Sequence, residues 1–598
     1  MRLPLAFHCS HPLAASTLLL TLIAFTSATP LASRSTVSST STFNNTSRDP
    51  TITLPYITLA GKYNAEYNIS YFRKIPYAAP PTGPNRFRAP QPPSIHNEDE
   101  VYDTDHSFDM CPQRTVNGSE DCLYLGLFSR PWDLERTKDA KRPVLVVFHG
   151  GAFIQGEASF DIPPSSYPVL NASDVNDYIV IYPSYRLNAF GFLPGKAIKE
   201  SDDADLNPGL LDQEFVLKWV RENIEFFGGD RGNVTIWGQS AGGGSVGAQV
   251  LANGRDGKEK LFQKALASSP FWPKTYRYDD PEAEGVYERL VDLTGCNDNI
   301  HNNTNPNKKA NVNRDRDAPW RKKTLSCLKQ VSAQTIRDAS LLISGENKWT
   351  TSSYTWAPVI DGSFLQMTLS DAVSRPGTIK TEYIMAVYNS HEGENFIPPG
   401  LAYPVSNEAG TTDGFNSSLP SFHDWLGGFV PGLSEGAIRE LEDVFYPVTG
   451  GTETLETYNS TFVRAGLVYR DVVLACPAYW LASVAYAGKE GKGKGYLAEY
   501  TILPARHASD TVYWNTINPI QTTDPLTYKG FAGAFASFFQ TGDPNAHKLT
   551  SDDVVGVPEI SETGEEFVIG EGGFENVRLR ELEERCEFWR GVGVRVPV

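Results

Sequence analysis

The residues whose types and spacing are best suited to take part in a reaction form the motif Gly-Gln-Ser-Ala-Gly at positions 238–242. The motif follows an apolar run, Val234–Trp237, and precedes small residues typical of a helix start. This context predicts a sharp strand-to-helix turn that exposes the serine hydroxyl, and Gly238 and Gly242 leave room where strand and helix approach. We therefore predict that Ser240 is a nucleophile rather than part of an ordinary tight turn.

A serine hydroxyl is a weak nucleophile unless a base takes its proton, so the histidines decide the next step. After those at the N-terminus and in early or loop segments are set aside, four candidates remain: His391, His423, His507 and His547. His507 comes just after the apolar run Tyr496–Ile502, which places it in the loop after a late strand, as expected for the base. We interpret the other three histidines as structural or surface residues.

The acid that orients the base should lie in the loop after an intermediate strand. The run Tyr383–Tyr388 predicts that strand, and the following segment Asn-Ser-His-Glu-Gly-Glu-Asn-Phe at 389–396 supplies Glu392. Gly393 allows the loop to turn tightly. Glu394, two residues further on, remains the alternative.

A tetrahedral intermediate needs backbone N–H groups directed at its negative oxygen, each worth about 2.7–4 kcal/mol in a comparable hydrolase. The segment His-Gly-Gly-Ala-Phe at 149–153 follows the apolar run Val144–Phe148 and offers such groups. We predict an oxyanion hole from the N–H groups of Gly151, Ala152 and Ala241, with a plain glycine turn as the alternative.

These residues need a scaffold, and the apolar runs indicate which one. Short uninterrupted runs such as Tyr178–Tyr182 are typical of strands buried on both faces of a parallel sheet. Between two of them, residues 209–228 carry apolar side chains at three- and four-residue steps, which predicts an amphipathic crossover helix ending at Gly228. The pattern predicts an α/β fold with a large, mostly parallel sheet flanked by helices.

The N-terminal composition predicts export from the cell. An apolar run, Leu13–Phe25, is followed by small residues, which predicts a signal peptide over residues 1–28; a buried N-terminal helix is the alternative. Residues 29–50 are rich in Ser and Thr and are expected to form a disordered tether. We predict one catalytic domain over 51–598, secreted to the extracellular space and without a stable membrane anchor.

The cysteines suit an oxidising compartment. Cys9 lies in the predicted signal peptide, so six of the seven cysteines remain in the mature chain. Fifteen connectivities are possible in principle, and sequence order suggests the pairs Cys111 with Cys122, Cys296 with Cys327, and Cys476 with Cys586. The chain has no Cys-x-x-Cys motif or His/Cys cluster with ligand spacing, so we predict no metal site.

Charge and sequons complete the compositional picture. The formal net charge is −18 and the isoelectric point is about 5.1, which argues against a nucleic-acid partner. Nine Asn-x-Ser/Thr sequons predict a glycoprotein; they lie at Asn44, Asn45, Asn68, Asn117, Asn171, Asn233, Asn302, Asn416 and Asn459.

Several motifs together resemble one family. They are IPYAAPPTGPNRF, EDCLYL, HGGAF, YRLNAFGFL, NPGLLDQ, FGGDRGNVTIWGQSAGG, APVIDG, HEG and TGDPN. From about Tyr56 to Trp589, the chain is similar to the type-B carboxylesterase/lipase family, which includes cholinesterases, fungal lipases and neuroligin-like adhesion proteins.

The resemblance implies an α/β-hydrolase fold with long insertions and a triad of Ser240, Glu392 and His507. It implies a small-molecule carboxylic ester as substrate, an acyl-enzyme intermediate and no cofactor. It independently favours the three cysteine pairs, and it suggests scaffold ion pairs of Arg86 with Glu120 and of Arg186 with Asp212.

Departures from the family pattern bear on substrate choice. Gln239 precedes the nucleophile where cholinesterases carry Glu, which weakens a choline-ester assignment, whereas Ala152 replaces a glycine whose role is only to supply a backbone N–H. The loop between Cys111 and Cys122 is much shorter than the lid of family lipases. We therefore expect a carboxylesterase without interfacial activation; a triacylglycerol lipase and a non-catalytic adhesion protein are the alternatives.

Overall fold

The fold is built on the apolar strands that the sequence pattern predicts, in a computed structural model that describes residues 49–96, 100–131, 141–297, 318–346, 355–404, 413–455, 458, 460–484 and 493–598. The strands are β1 (Thr51–Leu54), β2 (Ile57–Ala60), β3 (Lys62–Asn64), β4 (Ile69–Pro76), β5 (Val101–Asp103), β6 (Tyr124–Ser129), β7 (Arg142–Phe148), β8 (Ile179–Pro183), β9 (Gly229–Gln239), β10 (Lys264–Ser268), β11 (Tyr383–Asn389), β12 (Lys494–Tyr500), β13 (Glu565–Gly570) and β14 (Gly573–Arg578).

The α-helices lie in the connections between these strands, except the last, which follows β14. They are α1 (Tyr167–Leu170), α2 (Asn188–Phe192), α3 (Lys196–Lys199), α4 (Pro208–Asn223), α5 (Ala241–Ala252), α6 (Pro281–Leu293), α7 (Ala318–Gln330), α8 (Ala333–Glu346), α9 (Leu369–Val373), α10 (Leu419–Phe429), α11 (Glu435–Glu440), α12 (Thr461–Arg470), α13 (Cys476–Ser483), α14 (Thr511–Trp514), α15 (Ile520–Thr523), α16 (Pro525–Thr541), α17 (Ile560–Thr563) and α18 (Glu581–Gly591). Among the helices of the described ranges, none has the length and apolarity that a bilayer crossing requires.

The centre of the fold is an eleven-stranded sheet. Its strands neighbour one another in the order β14-β13-β12-β11-β10-β9-β7-β8-β6-β4-β3. The seven strands from β8 to β13 along this order pair in parallel. The strands outside them, β14 on one edge and β6, β4 and β3 on the other, pair antiparallel. A small sheet of β1, β2 and β5 is separate.

Side-chain alternation explains why uninterrupted apolar runs form these strands. In β7, Val144 and Val146 join the core on one face of the sheet, while Leu145 joins the core on the other. In β8, Ile179 and Val180 divide between the two faces in the same way. In a strand that is buried on both faces, the side chains on each face are apolar, so the sequence is a continuous apolar run. Such runs are typical of a parallel sheet that is covered by helices on both sides. The predicted fold class is confirmed.

The predicted crossover helix is present as α4, followed by a 3-10 turn over Ile224–Phe227. Val216 and Val220 are fully buried, and Lys218 on the opposite side is exposed. Gly228 ends the segment with a φ of 72°, a left-handed conformation that favours glycine.

Both scaffold ion pairs suggested by the family resemblance form with two-pronged geometry. The Arg86 guanidinium donates to the two carboxylate oxygens of Glu120 at 2.6 Å each. Arg186 donates to Asp212 at 2.8 and 2.6 Å inside the core. Removing one partner of a buried pair leaves an uncompensated charge, so these residues hold the scaffold in place.

The three suggested disulfides are also present: Cys111–Cys122, Cys296–Cys327 and Cys476–Cys586. The predicted signal peptide and most of the predicted tether lie outside the described residues. The last two tether residues are described: the Asp49 carboxylate accepts the N–H of Tyr63 at 2.9 Å, and the Pro50 carbonyl accepts the N–H of Gly61 at 2.8 Å.

Candidate active site

Ser240 occupies the turn between β9 and α5, at the carboxyl end of a central parallel strand. Its φ of 61° and ψ of −127° are strained for a residue with a side chain, a state that costs on the order of 1–3 kcal/mol. The surrounding backbone holds it there: Ser240 N–H donates to Ser268, and its carbonyl accepts from Gly244 and Phe271, all at 2.9 Å. The sharp turn predicted from the motif is present.

Glycines around this turn are required by close backbone approach. A Cβ on Gly242 would clash with the carbonyl oxygen of Phe148, at the end of β7. A Cβ on Gly150 would lie 3.1 Å from the Ser240 Cβ and 2.6 Å from the Gln239 carbonyl oxygen. The loop that follows β7 therefore packs directly against the serine.

That loop carries two of the three predicted oxyanion donors. Gly151, Ala152 and Phe153 have φ values of 109°, 56° and 60°, three successive left-handed residues. The Gly151 carbonyl accepts the N–H groups of Ile154 and Gln155 at 3.1 Å each, which closes a tight turn. Ala241, the third predicted donor, is the first residue of α5.

His507 and Glu392 meet across two loops. The imidazole Nδ1 of His507 lies 3.0 Å from a carboxylate oxygen of Glu392, which is fully buried. Glu392 follows β11 and His507 follows β12, and these neighbouring strands are parallel, so both loops leave the same edge of the sheet. A carboxylate at Nδ1 favours the tautomer with the proton on Nδ1, which leaves the basic lone pair on Nε2.

The alternative acid, Glu394, has other partners. Its carboxylate contacts His391 Nδ1 at 2.8 Å and Arg506 Nε at 3.2 Å. His391 therefore has a structural partner of its own, as the sequence interpretation has it. His423 is likewise engaged elsewhere, with its Nδ1 3.1 Å from Glu442.

Further contacts, which sequence reasoning missed, tie the two loops together. The His507 N–H donates to Asn395 Oδ1 at 3.1 Å, and the His391 N–H donates to the Ala505 carbonyl at 2.9 Å. Asp510, three residues after His507, accepts from Asn389 at 3.2 Å and from Trp514 at 2.9 Å.

Burial raises the pKa of Asp510, and the bonds from Trp514 and Asn389 act in the opposite direction. The sequence did contain a signal for Asp510, because it is an acidic residue only three positions after the predicted base. Asn395 stands in the quoted acid loop but carried no sequence signal of its own.

Gln239, the residue before the serine, reaches the other side of the imidazole. Its side-chain nitrogen lies 3.4 Å from His507 Nε2. Because Nδ1 faces Glu392, the Gln239 amide donates to the Nε2 lone pair. The departure from the cholinesterase pattern is thus in direct contact with the predicted base.

An aromatic wall borders His507. The Phe396 ring meets the His507 ring edge-on at 5.0 Å and stacks on Tyr469 at 5.0 Å, and Tyr469 stacks on Phe429 at 5.4 Å. Phe271 lies 5.9 Å from Phe396 on the other side. We call these four residues, Phe271, Phe396, Phe429 and Tyr469, the aromatic wall. Phe271, Phe429 and Tyr469 are fully buried, so the partly exposed Phe396 is the member that presents apolar surface beside the predicted base.

Known proteins resemble this chain in sequence and in fold. A sequence model of the carboxylesterase family matches residues 48–589. Secreted lipase 4 of Gibberella zeae is 28% identical over 86% of this chain and 87% of its own length. The para-nitrobenzyl esterase of Bacillus subtilis is 38% identical over 35% of this chain, a match that spans 41% of that enzyme.

Solved structures share the fold. The crystal structure of Aspergillus niger EstA superposes with a TM-score of 0.71 over 92% of this chain and 99% of that one, at 23% sequence identity. The match of the family model covers nearly the whole length of the described fold. The chain therefore belongs to the carboxylesterase family, as a serine hydrolase that acts on small-molecule carboxylic esters.

Proposed function

We propose that Ser240, His507 and Glu392 form the catalytic triad of a secreted carboxylesterase, with Gly151, Ala152 and Ala241 as the oxyanion hole. The observation that supports this most directly is the 3.0 Å contact of His507 with Glu392, beside the strained turn that presents Ser240. The packing of Gly150 against Ser240 supports the oxyanion assignment, because Gly151 and Ala152 follow directly in the chain.

The proposed cycle has two halves. His507 Nε2 exchanges its long contact with the Gln239 amide for the Ser240 hydroxyl and takes the proton as this hydroxyl attacks the ester carbonyl. Glu392 stabilises the imidazolium that forms. The oxyanion hole stabilises the tetrahedral oxygen, and the imidazolium then gives its proton to the departing alcohol. Water repeats the attack on the acyl-enzyme, again with His507 as the base, and releases the acid.

The substrate is an ester with an apolar part that packs against Phe396, the partly exposed member of the aromatic wall. A triacylglycerol lipase is the second candidate, because the relative from Gibberella zeae is named a secreted lipase. The loop between Cys111 and Cys122 supports the esterase: Arg337 of α8 donates to its Gln113 and Val116 carbonyls at 2.7 and 3.1 Å. A loop held this firmly is unsuited to swing as a lid.

The deciding experiment is hydrolysis of p-nitrophenyl esters from acetate to palmitate by the purified protein. We expect turnover that a serine-directed phosphonate abolishes, with the adduct on Ser240. On tributyrin, we expect the rate to rise smoothly through the solubility limit. A sharp rate increase when droplets form would favour the lipase, and the absence of any hydrolysis would refute the proposed function.

Gln239 allows a test through the pH profile. In Gln239→Glu, a carboxylate next to Nε2 would stabilise the imidazolium, so the inactive protonated base persists to higher pH. We expect the acid limb of kcat/KM to move up by about one pH unit or more. Gln239→Met, which removes the amide without adding a charge, is the control and should move the limb by less than Gln239→Glu does. An unmoved limb in Gln239→Glu would contradict the placement of His507 as the base.

We also propose secretion after cleavage near Ala28, a tether up to residue 50, a single catalytic domain from residue 51 and N-glycosylation. The apolar N-terminal run, the three disulfides and the secreted relative support export.

The sequons differ in how accessible they are. Asn117 and Asn171 are exposed. The Asn233 side chain is engaged: its oxygen accepts from Lys264, whose pKa burial lowers to about 7, and its nitrogen donates to the Gln540 carbonyl at 3.3 Å.

A glycan on the Asn233 nitrogen would displace these contacts, so we expect Asn117 and Asn171 to be modified and Asn233 to be free. Enzymatic deglycosylation in heavy-oxygen water, followed by peptide mapping of the secreted protein, labels each modified site as Asp. Label at Asn233, or none at Asn117 and Asn171, would contradict the assignment. Asn117→Gln should remove one glycan from the intact mass.

A further inference from the structure

A buried glutamine contacts the loop that carries two of the proposed oxyanion donors. The glutamine lies in the loop between Cys111 and Cys122, which we call the disulfide loop, and the loop that it contacts is the segment 149–156, which we call the oxyanion loop. Gln113 is 1% exposed. Its side-chain oxygen accepts the N–H of Gly156 at 2.8 Å, and its side-chain nitrogen donates to the Gly156 carbonyl at 3.0 Å. One carboxamide thus satisfies both backbone groups of a single residue, as a neighbouring strand would. Thr115 adds a hydroxyl bond to the same Gln113 oxygen at 3.1 Å.

A backbone bond reinforces this contact. The N–H of Arg114 donates to the Ile154 carbonyl at 3.0 Å. Residues 154 and 156 follow directly on the turn that contains Gly151 and Ala152. Three hydrogen bonds therefore connect the disulfide loop to the segment 149–156 that carries two of the proposed donors.

Gly156 in turn contacts the beginning of that segment. Its φ is 125°, and a Cβ there would clash with the Gly150 carbonyl oxygen and the His149 ring. His149 stacks on Tyr185 at 4.2 Å, and desolvation lowers its pKa to about 4, so the ring is neutral at neutral pH. A displacement of Gly156 would be passed through these contacts to Gly150 and Gly151.

The disulfide loop is itself fixed to the scaffold, which makes it a firm support. The Cys111–Cys122 bond closes it, and Asn188 of α2 donates to the Pro112 carbonyl at 2.7 Å. Arg337 holds it from α8 through the Gln113 and Val116 carbonyls. The contact from Gln113 to Gly156 thus links α2, α8 and the disulfide to the oxyanion loop.

We propose that Gln113 is a positioning residue that holds the oxyanion loop in its catalytic geometry through Gly156. The proposal rests on the proposed function, since it assigns Gln113 to the oxyanion hole of that reaction. The donors in this hole are backbone N–H groups, so their aim depends on where the loop lies. Loss of a single donor lowers kcat by about 10²–10³-fold, and misplacement by about 1 Å has a comparable effect.

Two variants of similar size separate positioning from mere stability. In Gln113→Glu, a protonated carboxyl presents one donor and one acceptor, as the amide does, whereas the carboxylate repels the Gly156 carbonyl. Burial raises the pKa of a carboxyl group, so the introduced Glu is expected to be protonated at about pH 5 and ionised by about pH 8. We therefore expect the kcat of this variant to approach that of wild type at about pH 5 and to fall at least about tenfold below it by about pH 8. Gln113→Met, without either group, should be low by a similar factor at both pH values.

An inhibitor reports on the oxyanion hole directly. A trifluoromethyl ketone forms a hemiketal oxyanion on the nucleophile. In each variant, its inhibition constant should therefore rise by the factor by which kcat falls, while KM changes less than about threefold. Gln334→Leu, an exposed amide on α8, is the control and should match wild type.

The outcomes are distinct. Variants that show a lower melting temperature but keep wild-type kcat and inhibitor affinity at both pH values would overturn the proposal and leave Gln113 as a stabilising residue. If Gln113→Met does not fold, the pH contrast in Gln113→Glu decides alone. If wild type itself neither hydrolyses esters nor binds the ketone, the proposed function fails, which is a different result from a failure of the Gln113 proposal.

Discussion

Replacing Ser240 by alanine is expected to lower kcat by about a millionfold, the loss measured when the nucleophile of another serine hydrolase is removed. The expectation follows from the position of the serine, because the strained turn between β9 and α5 presents one hydroxyl beside the oxyanion loop. The rate is measured with a short p-nitrophenyl ester on protein freed of contaminating esterases, and phosphonate labelling should be lost in parallel.

Ser245→Ala supplies the matched control. This serine is buried on the same helix, five residues further on, where it accepts a hydrogen bond from Gln213 at 2.9 Å. We expect its kcat to stay within about tenfold of wild type, because the lost buried hydrogen bond, about 1–3 kcal/mol, lowers stability without removing a proposed reacting group. Residual activity of Ser240→Ala within tenfold of wild type would refute the nucleophile assignment.

The second large effect is expected from Glu392→Gln, with a loss of about 10⁴-fold in kcat. The amide has the same size as the carboxylate, but its NH₂ group facing Nδ1 would favour the tautomer with the proton on Nε2. The base would then lack its lone pair where Ser240 needs it, and the imidazolium would lose its counter-charge.

Glu394→Gln is the control for this experiment, because the two residues lie two positions apart in one loop. Glu394 contacts His391 and Arg506 instead of His507, so we expect a kcat within about tenfold of wild type. Steady-state kinetics together with thermal unfolding separates chemistry from folding. A loss in Glu394→Gln equal to that in Glu392→Gln would mean that the acid is wrongly assigned.

Much of this arrangement could be predicted from the sequence, because local patterns specify it. A strand buried on both faces has to be apolar throughout, so β7, β8 and β11 were visible as runs with bounds within about two residues. The Ser240 motif was equally clear, since a sharp turn between a strand and a helix demands glycines. The polar first half of β9, Gly229–Asn233, was not visible, because this part of the strand offers no apolar run.

Contacts between distant segments could not be predicted in this way. Glu392 and Glu394 stand in the same loop with the same chemistry, and only the path of the 3-10 turn over Glu392–Asn395 directs one of them to His507. The bond from Gln113 to Gly156 joins residues 43 positions apart. Neither the residue type nor its position in the sequence predicts such a contact, since a buried side-chain amide can form hydrogen bonds with any unpaired peptide group within its reach.

The long connection between β11 and β12 supplies the proposed acid, Glu392, and three of the four residues of the aromatic wall. Ser240 and the oxyanion loop lie at the ends of β9 and β7, whereas Phe396, Phe429 and Tyr469 belong to the long connection between β11 and β12. Because Glu392 stands at the start of this connection, its first turn cannot change without moving the proposed acid. Substitution of Phe396, the partly exposed aromatic residue, is therefore the local route to a different ester preference, whereas packing constrains the fully buried Phe429 and Tyr469.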